Sequence, residues 1–143
     1  MRTARASTHV IRLIDANTNR ALEGLRVCED LLRFHYERAS LYRRVRVMRH
    51  ALAAATTRLP FSKTELLKSR QSRHDLGKQA SSGAHRSIEE VMIVNFQRAK
   101  ESLRVLEECA RLIAPQSSSQ FQHLRFTLYE LERTVLLATL RHH

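Results

Sequence analysis

The stretch NRALEGLRVCEDLLR, Asn19 to Arg33, returns at Gln97 to Arg111 as QRAKESLRVLEECAR. Aligned without gaps, Asn17 pairs with Asn95, Arg20 with Arg98, Ala21 with Ala99 and Glu23 with Glu101. The match continues through Leu25/Leu103, Arg26/Arg104, Val27/Val105, Glu29/Glu107 and Arg33/Arg111. After a slip of two residues Arg49 matches Arg125, and Val45, Met48 and Leu52 match Phe121, Leu124 and Leu128. Apolar residues recur at three- and four-residue intervals throughout, the period of an amphipathic helix. A unit of this kind written twice is a helix pair that buries its apolar face against its own duplicate.

The spacing predicts helices over about Ile11–Phe34, Ser40–Leu59, Ser87–Ile113 and Gln120–Leu140. Pro60 closes the second, and Pro115 separates the third from the fourth. Only 3 glycines and 2 prolines interrupt the chain, which favours long helices over a many-turned β fold. The expected fold is all-α: a bundle of two duplicated helical hairpins with approximate internal twofold symmetry, in a single domain over 1–143. Repeat one covers about 11–59, a long central loop about 60–86, and repeat two about 87–140. The loop, FSKTELLKSRQSRHDLGKQASSGAH, has room for a short helix over Lys63–Lys68, and a loop of this length in a small domain is often functional.

The 25 Lys and Arg against 14 Asp and Glu give a net charge of +11, which points to anionic partners or to a basic solvated surface. Nucleic acid is disfavoured, because Glu alternates with Arg inside both copies and only 6% of residues are aromatic. Cys28 and Cys109 sit among apolar residues outside any metal spacing, so reduced core thiols of a cytoplasmic protein and no structural metal are expected. No apolar run approaches the ~18 residues of a membrane span. The basic start lacks an apolar region to follow it, so no secretory leader is expected. Without a GxxxxGK[ST] or GxGxxG motif, phosphate binding falls to Arg side chains or helix N-termini.

On a helical wheel Ala21, Gly24, Leu25, Val27, Cys28, Leu31 and Leu32 form the apolar arc, with Arg26, Glu29, Asp30 and Arg33 opposite. Glu29, Arg33, Glu107 and Arg111 are accordingly expected on the solvated side, as intrahelical pairs of about 0.2–0.5 kcal/mol each. Arg20 and Glu23 fall at one border beside Gly24, and Arg98 and Glu101 beside Ser102. Small residues there would let the helices approach, so these four charges are expected to converge at one seam as a polar pocket. Asn17 and Asn19 are candidates for capping or cross-bonding helices, or for reading a heterocycle. In RHDLGK, Arg73–Lys78, Asp75 is a candidate base or Mg²⁺ ligand, and Gly77 would admit a phosphate to the backbone.

LIDANTNRALEGLRVCEDLLRF, Leu13–Phe34, resembles the opening of the small helical domain fused ahead of some thiamine-phosphate synthases, which also occurs alone. The rest follows in order: RHAL at Arg49–Leu52, RQSRHDLG at Arg70–Gly77, Arg98–Glu108, and Leu124–Arg125. Two positions depart from the family pattern: Gln71 stands where an Asp is usual, and Lys78 where a Thr is common. The resemblance implies a role in thiamine biosynthesis, with phosphorylation of hydroxymethylpyrimidine phosphate to the diphosphate as the proposed activity. On that reading Glu23, Glu101 and Asp75 are the catalytic candidates. Asn19, Arg20, Arg26, Arg49, Arg98, Arg104, Arg125 and Gly77 would bind the phosphorylated pyrimidine, with ATP and Mg²⁺ as cofactors. The alternative is a non-catalytic domain that holds the pyrimidine phosphate for a separate thiamine-phosphate synthase. Synthase activity itself is not expected of this chain, and a homo-oligomer is compatible with either reading.

Overall fold

Apolar spacing and cap chemistry set where the helices begin and end. The computed structural model describes residues 7–70, 75–77 and 83–140. Helix α1 spans Thr8–Asp30, its N-terminus capped by Ser7, whose hydroxyl accepts from the Val10 amide at 3.2 Å. It loosens into a π turn over Leu31–His35 before α2, Ala39–Thr57. The reversal between them passes through Glu37, whose φ of 52° lies in the left-handed region. The short helix α3, Lys63–Ser69, starts in a capping box: Ser62 accepts from the Glu65 amide while the Glu65 carboxylate accepts from the Ser62 amide. Helix α4 covers Ile88–Ile113, capped by Ser87 with Glu89 and Glu90 in its first turn, where carboxylates favour the helix dipole. Helix α5, Pro115–Leu140, begins earlier than the expected Gln120. Proline suits a first helical position, so QSSS continues the helix instead of delaying it.

Among the described residues the fold is all-α, as the spacing predicts. Helix α1 packs on α4, α2 on α1, α5 on α4, and α2 meets α5 to close a four-helix bundle, with α3 laid against α1. One core cluster joins Ile14, Ala21, Leu25, Cys28 and Leu32 to Met92, Phe96, Ala99, Leu103 and Leu106, and then to residues of α2 and α5. Helices α1 and α4 run antiparallel: the Cys28 thiol reaches the Met92 carbonyl at 3.7 Å, while Gly24 faces Asn95 and Ala99. A Cβ added at Gly24 would lie 2.9 Å from the Asn95 carbonyl oxygen, so the backbones touch at this crossing. Burial pushes the Cys28 thiol far above its ordinary pKa, which makes it an inert core group.

The repeated charges fold in an unexpected way. Glu29 and Glu107, expected in solvent, are buried, with side-chain exposures of 2% and 0%. Arg49 of α2 clasps Glu29 in a fork, Nε to Oε2 at 2.6 Å and Nη2 to Oε1 at 3.1 Å. Arg125 of α5 makes the corresponding fork to Glu107 at 3.3 and 3.4 Å, and Arg104 adds a bond at 3.0 Å. The physical reason is that Val27 and Leu31 are only half-buried, so the buried arc is rotated away from them. The arc is centred on Ala21, Leu25, Cys28 and Leu32, and Glu29, four residues on from Leu25, lies within its opposite border. Asn17 and Asn95 also repeat a contact, each donating to the carbonyl four residues earlier at 2.8 Å.

Removing one partner of a buried ion pair leaves an uncompensated charge, which costs about 3–5 kcal/mol. Glu107→Ala is expected to lower the unfolding free energy by about that amount. Glu101→Ala, on the exposed side of the same helix, should change it by less than about 0.5 kcal/mol. Chemical denaturation monitored by circular dichroism of the two variants checks the contrast.

Candidate functional site

Where the two repeats differ, a polar cleft opens. It encloses about 390 Å³ and is lined by His9, Arg12, Leu13, Asp15, Ala16, Asn17 and Arg20 of α1, with Arg70 and Asp75 from the connecting segment. In the second copy the position of Asp15 is taken by Ile93, and that of Arg12 by Glu90. The cleft is therefore a property of the first repeat.

Asp15 is its anchor. The residue is 8% exposed, set between the core residues Ile14 and Asn17, and its carboxylate turns outward to Arg70. Arg70 approaches as a fork, Nε to Oδ2 at 2.7 Å and Nη2 to Oδ1 at 3.1 Å, and the Asn19 amide nitrogen stands 3.5 Å from Oδ1. The hydrogen bonds to Asp15 raise the Arg70 pKa further, so this guanidinium stays cationic under any physiological condition. Local structure delivers Arg70 to the spot. The capping box starts α3, Ser69 is buried, and Arg70 leaves the helix in an extended conformation towards α1. At the outer edge Asp75 caps its own turn by accepting from the Gly77 amide at 2.8 Å. Three guanidiniums, Arg12, Arg20 and Arg70, thus face two carboxylates, Asp15 and Asp75, around an open space. That balance suits an anion, and above all a phosphate, which Arg grips in two-point fashion.

Of the residues expected from the sequence, Arg20 and Asp75 line this cleft, and Asn19 reaches it through Asp15. Glu23, Arg98 and Glu101 are exposed and do not line it; Glu101 accepts from Gln97 at 2.9 Å. The seam where they were expected to converge is closed by the Gly24 crossing. Arg49 and Arg125 are spent on the buried carboxylates. Arg26 pairs with Asp30, and Arg104 with Glu107 and Glu108. Gly77 sits on the turn of Asp75, whereas Gln71 and Lys78, the two family departures, lie outside the described residues. Sequence reasoning passed over Asp15, Arg12 and Arg70 as site residues. A signal that could have marked Asp15 was present, since a carboxylate stands there where the second copy has the apolar Ile93.

A second hollow, about 570 Å³, lies between α2 and α5 and is lined mainly by Val47, Met48, Ala51, Leu124 and Leu131, with Arg43 and Arg44 at its edge. It offers no carboxylate and none of the expected site residues. Among the described residues no three acid, His or Cys side chains gather into a metal site. No helix among the described residues is long and apolar enough to cross a membrane.

The sequence profile of the ThiD2 family matches residues 12–134. The chain is 40% identical over 132 residues to a thiamine-phosphate synthase of Synechococcus sp. (strain CC9605), covering 92% of this chain and 36% of that protein. It is 34% identical to the thiamine-phosphate synthase of Synechocystis sp. (strain ATCC 27184 / PCC 6803 / Kazusa), over 90% of this chain and 37% of that one. The corresponding protein of Gloeobacter violaceus (strain ATCC 29082 / PCC 7421) is 35% identical, over 92% and 38%. The chain thus spans a little over a third of the length of these relatives. No solved structure gives a significant match.

The fork between Asp15 and Arg70 ties the end of α3 to α1. Arg70→Ala is expected to speed amide exchange across 63–69 by about tenfold while leaving α4 and α5 unchanged, as local opening does. Hydrogen exchange read by mass spectrometry checks this.

Proposed function

The chain belongs to the ThiD2 family, and from that premise we propose that it serves thiamine biosynthesis by holding a phosphorylated pyrimidine for a thiamine-phosphate synthase. The observation that carries the reading is the cleft of Arg12, Arg20 and Arg70 around Asp15. It combines three guanidiniums with the Asp15 and Asp75 carboxylates, and the Asn19 amide beside Asp15 is able to meet the polar edge of a heterocycle. The relatives bear on the partner: they are named thiamine-phosphate synthases, and this chain corresponds to only part of each.

A phosphotransferase asks more of the same residues. It needs a carboxylate placed at the acceptor and a seat for a nucleotide. Asp15 is engaged by Arg70 through both oxygens, Asp75 accepts from the Gly77 amide, and Glu23 and Glu101 lie outside the cleft. Binding without turnover is therefore the reading these side chains favour, and no step through ATP or Mg²⁺ is drawn from them.

Two measurements on one sample test it. Calorimetric titration with hydroxymethylpyrimidine phosphate is expected to give saturable binding that Arg20→Ala weakens by about tenfold or more, the worth of one charge-assisted contact. Incubation with ATP, Mg²⁺ and the same compound should yield no diphosphate. Formation of the diphosphate would replace this reading with the kinase, and an absence of binding would remove both.

A further inference from the structure

The fork between Arg70 and Asp15 has the geometry of a site filled by the protein itself. Arg70 is half-exposed, with 49% of its side chain in solvent, whereas Asp15 shows only 11%. The pair is thus open to solvent on one side and enclosed on the other. The Asp15 carboxylate belongs to the bundle, while Arg70 leaves the end of a seven-residue helix that lies against α1 and reaches Asp15 from there. Both bonds to Arg70 use the Nε–Nη2 edge, the same edge a phosphate would take. Arg12 and Arg20 stand on the same wall of the cleft, one helical turn to either side of Asp15 and Ala16, and neither forms an ion pair among the described residues.

We propose that Asp15 is an internal competitor for Arg70: an anionic ligand draws Arg70 off Asp15 to join Arg12 and Arg20. The vacated carboxylate then accepts N–H donors from the ligand's other end. The second half follows from the first by charge. A nearly buried carboxylate stripped of the Arg70 guanidinium is costly unless something else donates to it. Asn19 at 3.5 Å is too distant to do so alone. The cleft therefore selects for molecules that carry both an anion and a donor edge, and discriminates against the bare anion, which would leave Asp15 unmatched. This deepens the pyrimidine-phosphate reading and rests on it for the identity of the ligand, but the exchange itself can be tested without a pyrimidine.

The probe for the exchange is inorganic pyrophosphate, titrated calorimetrically into the intact chain and into Asp15→Asn and Arg70→Gln. If Asp15 competes for Arg70, Asp15→Asn binds pyrophosphate several-fold to about tenfold more tightly than the parent, because Arg70 is released and a like charge is removed. Arg70→Gln, which leaves the carboxylate in place, binds it at least about tenfold more weakly. Hydroxymethylpyrimidine phosphate is expected to invert the order: Asp15→Asn binds it more weakly than the parent. Equal or weaker pyrophosphate binding by Asp15→Asn, in a variant whose circular dichroism matches the parent, overturns the proposal. If pyrophosphate behaves as expected while the pyrimidine phosphate fails to bind the parent, the exchange stands and the pyrimidine reading falls. If the parent and Asp15→Asn both bind neither, both are overturned.

Discussion

The bundle depends on two carboxylates buried where a core would ordinarily place Leu. Glu29 and Glu107 sit at the same repeat position on α1 and α4, and each is clasped by a guanidinium from the next long helix, Arg49 or Arg125. Replacing such a pair with apolar residues can be neutral or stabilising, so it is weak evidence of strength. What it imposes is register. A fork of two hydrogen bonds forms at one rotation and one height of α2 on α1, and a slip of one turn would leave an unpaired charge inside. A helix pair packed only by Leu, Val and Ala tolerates more sliding than that.

This constraint divides the Arg-rich surface into two populations. Arg49 and Arg125 serve the interior, while Arg26, Arg104 and Arg111 lie along helix faces against neighbouring acids. Arg12, Arg20 and Arg70 gather instead around the cleft at one end of α1, where the second repeat has no equivalent of Asp15. Duplication builds the scaffold twice, and divergence at a few positions of one copy builds the cleft. The exposed Ile93, at 41%, shows what the same place looks like without it.

The helices were legible from spacing because three- and four-residue periodicity reports burial directly. Leu25, Cys28 and Leu32, and Leu103 and Leu106, are all in the core. The start of α5 was misjudged because QSSS reads as a linker, although Pro115 can open a helix. Glu29 was misjudged for a deeper reason. A wheel assigns charges to water by default, and only the partner helix, twenty residues away, reveals that Arg49 neutralises it. The site was partly legible: Arg20 and Asp75 were expected there, and Asp15 and Arg70 both fall inside the motifs that carry the family resemblance. Their pairing across 55 residues was not, because the contact depends on how α3 lies on α1.

The central claim is that the repeated Glu–Arg pairs are structure and that the cleft beside Asp15 is the binding site. Amide chemical-shift mapping during titration with hydroxymethylpyrimidine phosphate addresses it most directly. The account predicts shifts concentrated at His9, Arg12, Asp15 to Asn17, Arg20 and Arg70, with Glu29, Arg49, Glu107 and Arg125 silent. Shifts centred on those two buried pairs, or on the hollow between α2 and α5, with the cleft unmoved, would contradict it.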